Sequence, residues 1–219
     1  MYLSKLVLNP RHPLARRDLA NPYEMHSTLA WVFEGHQDER LLWRVERPRF
    51  ESAPVVLVQS RHAPEWSRLE AREEYAGYLL REAQWKPYTL PDRLTAGQVL
   101  RFRLEANPTV TRDGKRHGLL REEQQVAWLE RQGAQHGFRL LYFESPDGRI
   151  PSCRVTAVER RRFRKRQTGQ FIVLLAVTYD GYLQVTDPAA LRAAIAEGLG
   201  HGKGLGLGLL SVAPSRVGP

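Results

Sequence analysis

Hydrophobic and polar positions alternate between strand-like and helix-like runs in two successive rounds along the chain. Tyr2 to Leu8 is a leucine- and valine-bearing segment that reads as a buried strand. Met25, Leu29, Val32 and Phe33 then fall at i, i+4, i+7 and i+8, one stripe of a helix. Asn21-Pro22-Tyr23-Glu24 supplies a cap residue, proline at the first helical position and a carboxylate three residues after the cap, and Gly35 is placed to stop the helix. The pattern therefore predicts a helix from about Pro22 to Phe33. Leu41–Glu46 and Pro54–Gln59 read as strands joined by the polar stretch Arg47–Ser52. Patchy helical spacing through Trp66, Leu69, Tyr75 and Leu79 predicts a helix within Pro64–Arg81, and Trp85–Leu90 an edge strand. The order is βαββαβ, the ferredoxin-like arrangement.

Pro87 and Pro91 mark a linker, after which the pattern restarts. Gln98–Ala106 alternates apolar and basic residues like a half-exposed strand. Glu122–Gln132 is a helix carrying Val126 and Leu129, and Arg139–Glu144 and Arg154–Val158 are strands. Phe171–Thr178 and Tyr182–Thr186 are expected to pair across an Asp180-Gly181 turn. Asp187-Pro188 opens a last helix through Leu191, Ala194 and Ile195, which Gly198 ends, and Leu209–Val212 is a terminal apolar run. The expected fold is α+β: two tandem ferredoxin-like (βαββαβ) domains with antiparallel sheets, residues 1–90 and 91–219. The second domain carries a basic hairpin and a glycine-rich loop.

Composition narrows the class. At 219 residues, 42% apolar and 26% charged, the chain has the mixture of an ordinary globular protein. Its opening apolar run is broken by Lys5, Pro10 and Pro13, so neither a secretory signal nor a spanning helix is expected, and the expected compartment is the cytoplasm. Cys153 is the lone cysteine, with no metal-ligand spacing to other Cys or His, which argues against disulfide scaffolds and zinc ribbons. No cofactor is expected.

Charge adds more. The net charge is +9, and residues 154–166 hold seven Arg or Lys against one Glu. Such a concentration points to a phosphate-binding device, nucleic acid ahead of an anionic membrane. Arg160, Arg161, Arg162, Arg164, Lys165 and Arg166 are its RNA-binding candidates on an exposed hairpin arm; Phe163 among them either stacks on a base or anchors the arm. A second device is Gly200–Gly208, with glycine at every second position directly after a helix. Neither the dinucleotide fingerprint nor a Walker loop is present in it. Its His201, Gly202, Lys203, Gly204 and Gly206 are candidates for close approach to an anion. On the helix that opens at Pro22, Tyr23 and His26 lie three residues apart on one side, His26 at the border of the apolar stripe. The other histidines lack ligand spacing, and no metal site is expected.

Five segments, in order, resemble the CasE family of CRISPR-associated endoribonucleases within the RAMP superfamily: NPYEMH, LLWRVE, VLVQS with PEWSRL after it, RFRLEANPTVTRDGKR and HGKGLGLGLLSVAP. The resemblance spans nearly the whole chain. It implies tandem ferredoxin-like domains with a glycine-rich loop, metal-independent cutting of the repeat hairpin in CRISPR precursor RNA, and retention of the mature guide RNA as a subunit of an RNA-guided surveillance complex. It implies His26 as the catalytic histidine, Tyr23 as its partner and Gly200–Gly208 as the loop. A lysine or serine that often aids such sites has no matched position, which leaves a third catalytic group open, and Asn107–Arg116 matches a family signature. The expected reaction is attack of a ribose 2′-hydroxyl on the adjacent phosphate with a 2′,3′-cyclic product. The alternatives are a non-catalytic RNA-binding module of the same fold and a structural subunit of a ribonucleoprotein.

Overall fold

The computed structural model describes residues 1–46, 53–146, 148–164 and 169–215. The connection 47–52 and the arm residues Lys165, Arg166, Gln167 and Thr168 lie outside the described residues. The chain divides into two compact units, one of residues 1–88 with 162–172 and 203–206, the other of the remainder.

The first unit contains β1 (Tyr2–Val7), α1 (Pro13–Ala20), α2 (Pro22–Trp31), β2 (Leu42–Glu46), β3 (Val55–Ser60), α3 (Ser67–Glu70) and β4 (Gln84–Pro87). Its sheet runs β2-β3-β1-β4, antiparallel throughout, with Trp43 opposite Val58, Leu6 opposite Val56 and Tyr2 opposite Pro87. That is the ferredoxin-like strand order. Leu6, Trp43, Val56 and Val58 of the sheet share one buried cluster with Met25 and Leu29 of α2, so the apolar stripe read from the sequence is the face that packs.

Two elements differ from the pattern. Helix α1, absent from the expected pattern, joins the same core through Ala15, with Leu14 and Leu19 packed against it, and adds a polar network. Its Asp18, 1% exposed, accepts from the Tyr78 hydroxyl at 2.8 Å and from Arg17 Nε at 2.8 Å, contacts that offset the cost of burying a carboxylate. Burial first, and Asp18 second, push the Tyr78 hydroxyl pKa up, which keeps it a donor. The helix expected within 64–81 shrinks to α3 and a 3-10 turn at Glu73–Tyr75. Trp66, Leu69, Tyr75 and Leu79 are nonetheless all buried. They are anchored separately, Trp66 by donating Nε1–H to Ser4 Oγ at 2.9 Å, and Gly77 at φ +75 interrupts any continuous helix.

The second unit contains β5 (Val99–Ala106), β6 (Thr109–Arg112), β7 (Lys115–Gly118), α4 (Glu122–Gln135), β8 (Phe138–Leu140), β9 (Tyr142–Ser145), β10 (Gly148–Pro151), β11 (Cys153–Arg164), β12 (Phe171–Val185), α5 (Pro188–Glu197) and β13 (Leu210–Pro214). The main sheet runs β11-β12-β5-β13, with β8 also beside β12. Tyr179 faces Leu104 and Val212 faces Phe102 in its antiparallel register. Leu100, Phe102, Leu104, Leu129, Tyr179, Leu183, Leu191 and Ile195 are buried. Asp187 caps α5 by accepting from the Ala189 and Ala190 N–H groups at 2.9 and 3.1 Å.

The expected turn at Asp180-Gly181 is absent, and β12 continues through it for 15 residues. Asp180 is paired with Arg103 at 2.7 Å. A Cβ on Gly181 would lie 2.2 Å from the Ser152 carbonyl oxygen, the same oxygen that accepts from Tyr182 N–H at 2.9 Å. The glycine therefore serves close approach of two chains. An Asp-Gly turn does form at Asp113-Gly114, at φ 49 and 71, joining β6 to β7 within the segment that carries the family signature.

Candidate active site

The start of α2 fixes the first two side chains. Asn21 Oδ1 accepts from Tyr23 N–H at 3.1 Å and Pro22 holds the first helical position, as the motif predicts. Tyr23 and His26, three residues apart and both half-buried, therefore emerge on adjacent turns of one face. The Tyr23 ring meets Phe163 edge to face, centroids 5.7 Å apart. Phe163 is 6% exposed. The choice the sequence left open is resolved: Phe163 anchors the arm rather than presenting a ring to solvent.

His26 faces the short turn Lys203–Leu205, which packs against α2 and β2. A Cβ at Gly204 would stand 3.8 Å from His26 Nε2, so the loop backbone passes directly by the imidazole. His26 Nδ1 is buried and has no hydrogen-bond partner among the described residues. The imidazole opens on a cavity of about 310 Å³ that is also lined by Phe33, His36, Glu39, Arg40, Leu41 and Gly204. Burial first, and the Arg40 charge second, hold the His26 pKa below the ordinary 6.5. The ring is neutral at pH 7 and able to accept a proton.

The glycine loop divides its labour. Gly206 has φ +80, and a Cβ there would sit 2.6 Å from the Trp43 ring, so this glycine is required by packing. Gly204 has ordinary clearance. Lys203 and Gly202 are half-buried; His201 is exposed and its backbone bridges Asn107.

In β11 the two-residue period of a strand sorts the basic run. Arg154, Arg160, Arg162 and Arg164 are exposed on one face, whereas Arg161 and Phe163 point the other way. Arg161 pairs with Glu105, which is 6% exposed, and with Glu159 at 3.0 Å. Arg162 stacks over the Phe171 ring at 4.0 Å and Arg164 Nε donates to the Gly169 carbonyl at 2.9 Å. Among the described residues no three His, Cys, Asp or Glu side chains form a metal-binding group, and no helix is long and apolar enough to cross a membrane.

Sequence reasoning missed Arg40. It sits in the charged segment Gln37-Asp38-Glu39-Arg40, where nothing in the spacing separates a cavity-lining arginine from a solvated one.

The fold and site define an α+β chain with a ferredoxin-like sheet, in which a neutral histidine abuts a glycine-rich turn. Residues 1–214 match the model of the CRISPR-associated protein family, and the chain belongs to that family. It is 45% identical to the CRISPR-associated endoribonuclease Cse3 of Thermus thermophilus, over 98% of this chain and 100% of that protein. It is also 27% identical to the CRISPR system Cascade subunit CasE of Escherichia coli, over 98% and 100%. The solved structure of Thermus thermophilus Cse3 bound to an RNA representing a pre-cleavage complex superimposes with a TM-score of 0.83 at 43% identity, covering 97% of this chain and 98% of that one.

Proposed function

We propose that the protein is a metal-independent endoribonuclease that cuts the repeat hairpin of CRISPR precursor RNA and keeps the mature guide RNA as a subunit of a surveillance complex. The observation that carries the reading is His26, a neutral imidazole on a cavity edge beside the backbone of Gly204. Family membership supports it, as do an endoribonuclease relative solved with a pre-cleavage RNA and a relative named as a Cascade subunit.

His26 takes the proton from the ribose 2′-hydroxyl next to the scissile phosphate. The 2′-oxygen then attacks phosphorus, and a 2′,3′-cyclic phosphate remains on the upstream product. Positioned general-base catalysis of this kind contributes ~100- to 10,000-fold. Tyr23, braced against Phe163, orients the ribose or donates to a non-bridging oxygen. The outward arginines of β11 hold the stem through its phosphates, with the glycine loop residues His201, Gly202, Lys203 and Gly204 as further RNA contacts. Incubating the pure protein with labelled repeat RNA in excess EDTA tests the reading. Cutting at one position with a cyclic phosphate end is expected; binding without cutting in EDTA would leave an RNA-binding or metal-dependent protein instead.

A further inference from the structure

We infer that Arg40 is a catalytic residue, its guanidinium contacting the scissile phosphate in the cavity beside His26 and offsetting the charge that builds on the non-bridging oxygens. The inference rests on the endoribonuclease reading above and assigns the third group that the sequence left open. Among the described residues lining the cavity of about 310 Å³, Arg40 is the one permanent cation. It is half-buried, whereas Gln37 and Asp38 just before it are exposed. Glu39, which lines the same cavity, accepts from the Arg61 and His62 N–H groups at 2.6 and 3.0 Å and lies 2.9 Å from His62 Nδ1. Proximity to His26 is also read in the electrostatics, since the Arg40 charge acts on the imidazole.

The chemistry asks for such a group. As the 2′-O–P bond forms and the P–O5′ bond breaks, the 2′ proton passes to His26 and the departing 5′-oxygen takes a proton from solvent. The phosphorane between these events carries more negative charge than the starting diester. A neutral histidine supplies no positive charge until it has accepted the proton. A guanidinium is charged at every working pH and its planar fork matches two phosphate oxygens. Placed where charge develops in a partly desolvated cavity, it acts on the transition state more than on the bound substrate.

Single-turnover cleavage of repeat hairpin RNA at saturating protein tests this in wild type, Arg40→Gln, Arg40→Lys and His26→Ala, with affinity and thermal transition measured on each. Arg40→Gln should lose ~100- to 1,000-fold in rate, the scale of one deleted oxyanion donor, with affinity within about threefold. Arg40→Lys, which preserves charge and stem packing, should retain an intermediate rate. Removing the positive charge should also move the acidic limb of the pH–rate profile upward. The titratable and charged groups lining the cavity with His26, among the described residues, are His36, Glu39 and Arg40, with Tyr23 one turn before it on α2 and the turn of Lys203 packed on that helix. Wild-type rates in both Arg40 variants while His26→Ala is inactive would overturn the role of Arg40 alone. Full activity of His26→Ala, or no cutting by wild type, would overturn the endoribonuclease reading itself.

Discussion

The cavity at α2 and the outward face of β11 make opposite use of charge. Around His26 the proposed base is kept neutral, half-buried and beside backbone, and among the described residues a single permanent cation lines the space. Along β11, Arg154, Arg160, Arg162 and Arg164 are exposed in one row, and the last two are held in place by stacking and a carbonyl contact rather than by burial. The first arrangement suits bond making, where a proton must move within a fixed geometry. The second suits long-range attraction to a polyanion, where counterion release matters more than the exact distance of any one contact. The two regions should therefore fail differently when altered.

The sharpest break concerns chemistry. A single 2′-deoxyribose upstream of the scissile phosphate should abolish cutting while leaving hairpin affinity unchanged, and His26→Ala should lose ~100-fold or more in single-turnover rate with affinity retained. Normal cutting of the deoxy substrate would remove the 2′-hydroxyl mechanism. Replacing Arg160, Arg162 and Arg164 by alanine should do the reverse. The saturated rate should persist, and the slope of log affinity against log salt should fall by roughly 0.7 to 0.9 for each phosphate that the row no longer neutralises; an unchanged slope would rule the row out as the clamp. Arg161 is left out of that set, since its loss would break the pair with buried Glu105 and confuse binding with folding.

Smaller effects separate the two glycines. Gly206→Ala must place a Cβ against Trp43 at a positive φ, and should cost ~1–3 kcal/mol, read as a lowered thermal transition. Gly204→Ala meets only ordinary contact with His26 and should stay within ~0.5 kcal/mol, showing any defect in the cleavage rate instead. The smallest shift expected is in pH. Because burial and Arg40 depress the His26 pKa, the active neutral form persists as pH falls below 6.5, and the acidic limb of the rate should lie under that value. The same shift means that stability linked to His26 is fully present above pH 6.5 and declines as the unfolded chain protonates below it. A rate limb centred above 6.5 would contradict the burial of this ring.

What was legible in the sequence follows where local chemistry and tertiary packing agree. The start of α2 was readable because Asn21, Pro22 and the apolar stripe act within one helix, and Tyr23 and His26 came with it. Helix α1 was not, since within its 8 residues Leu14, Ala15 and Leu19 make too short a stripe to separate from a loop, and Asp18 meets Tyr78 across a sequence separation of 60. Asp180-Gly181 and Asp113-Gly114 are the same dipeptide with opposite outcomes. Only at 113–114 does the chain leave the glycine free to turn; at 180–181 the Ser152 carbonyl and Arg103 draw the strand straight through. The basic run was visible as charge, but its division into outward arginines and an inward Arg161 needed the strand register and a buried partner distant in sequence.

The two-residue period of β11 also constrains how the gene can drift in length. Deleting one codon between Arg154 and Arg160 would exchange the faces of everything beyond it, turning Arg160, Arg162 and Arg164 inward and Phe163 out to solvent, away from Tyr23. Deleting two codons would shorten the arm and keep its polarity. Tolerated length variants in this strand should therefore come in steps of two, and within them lysine can replace arginine on the outward positions far more readily than at Arg161, whose fork is committed to two carboxylates.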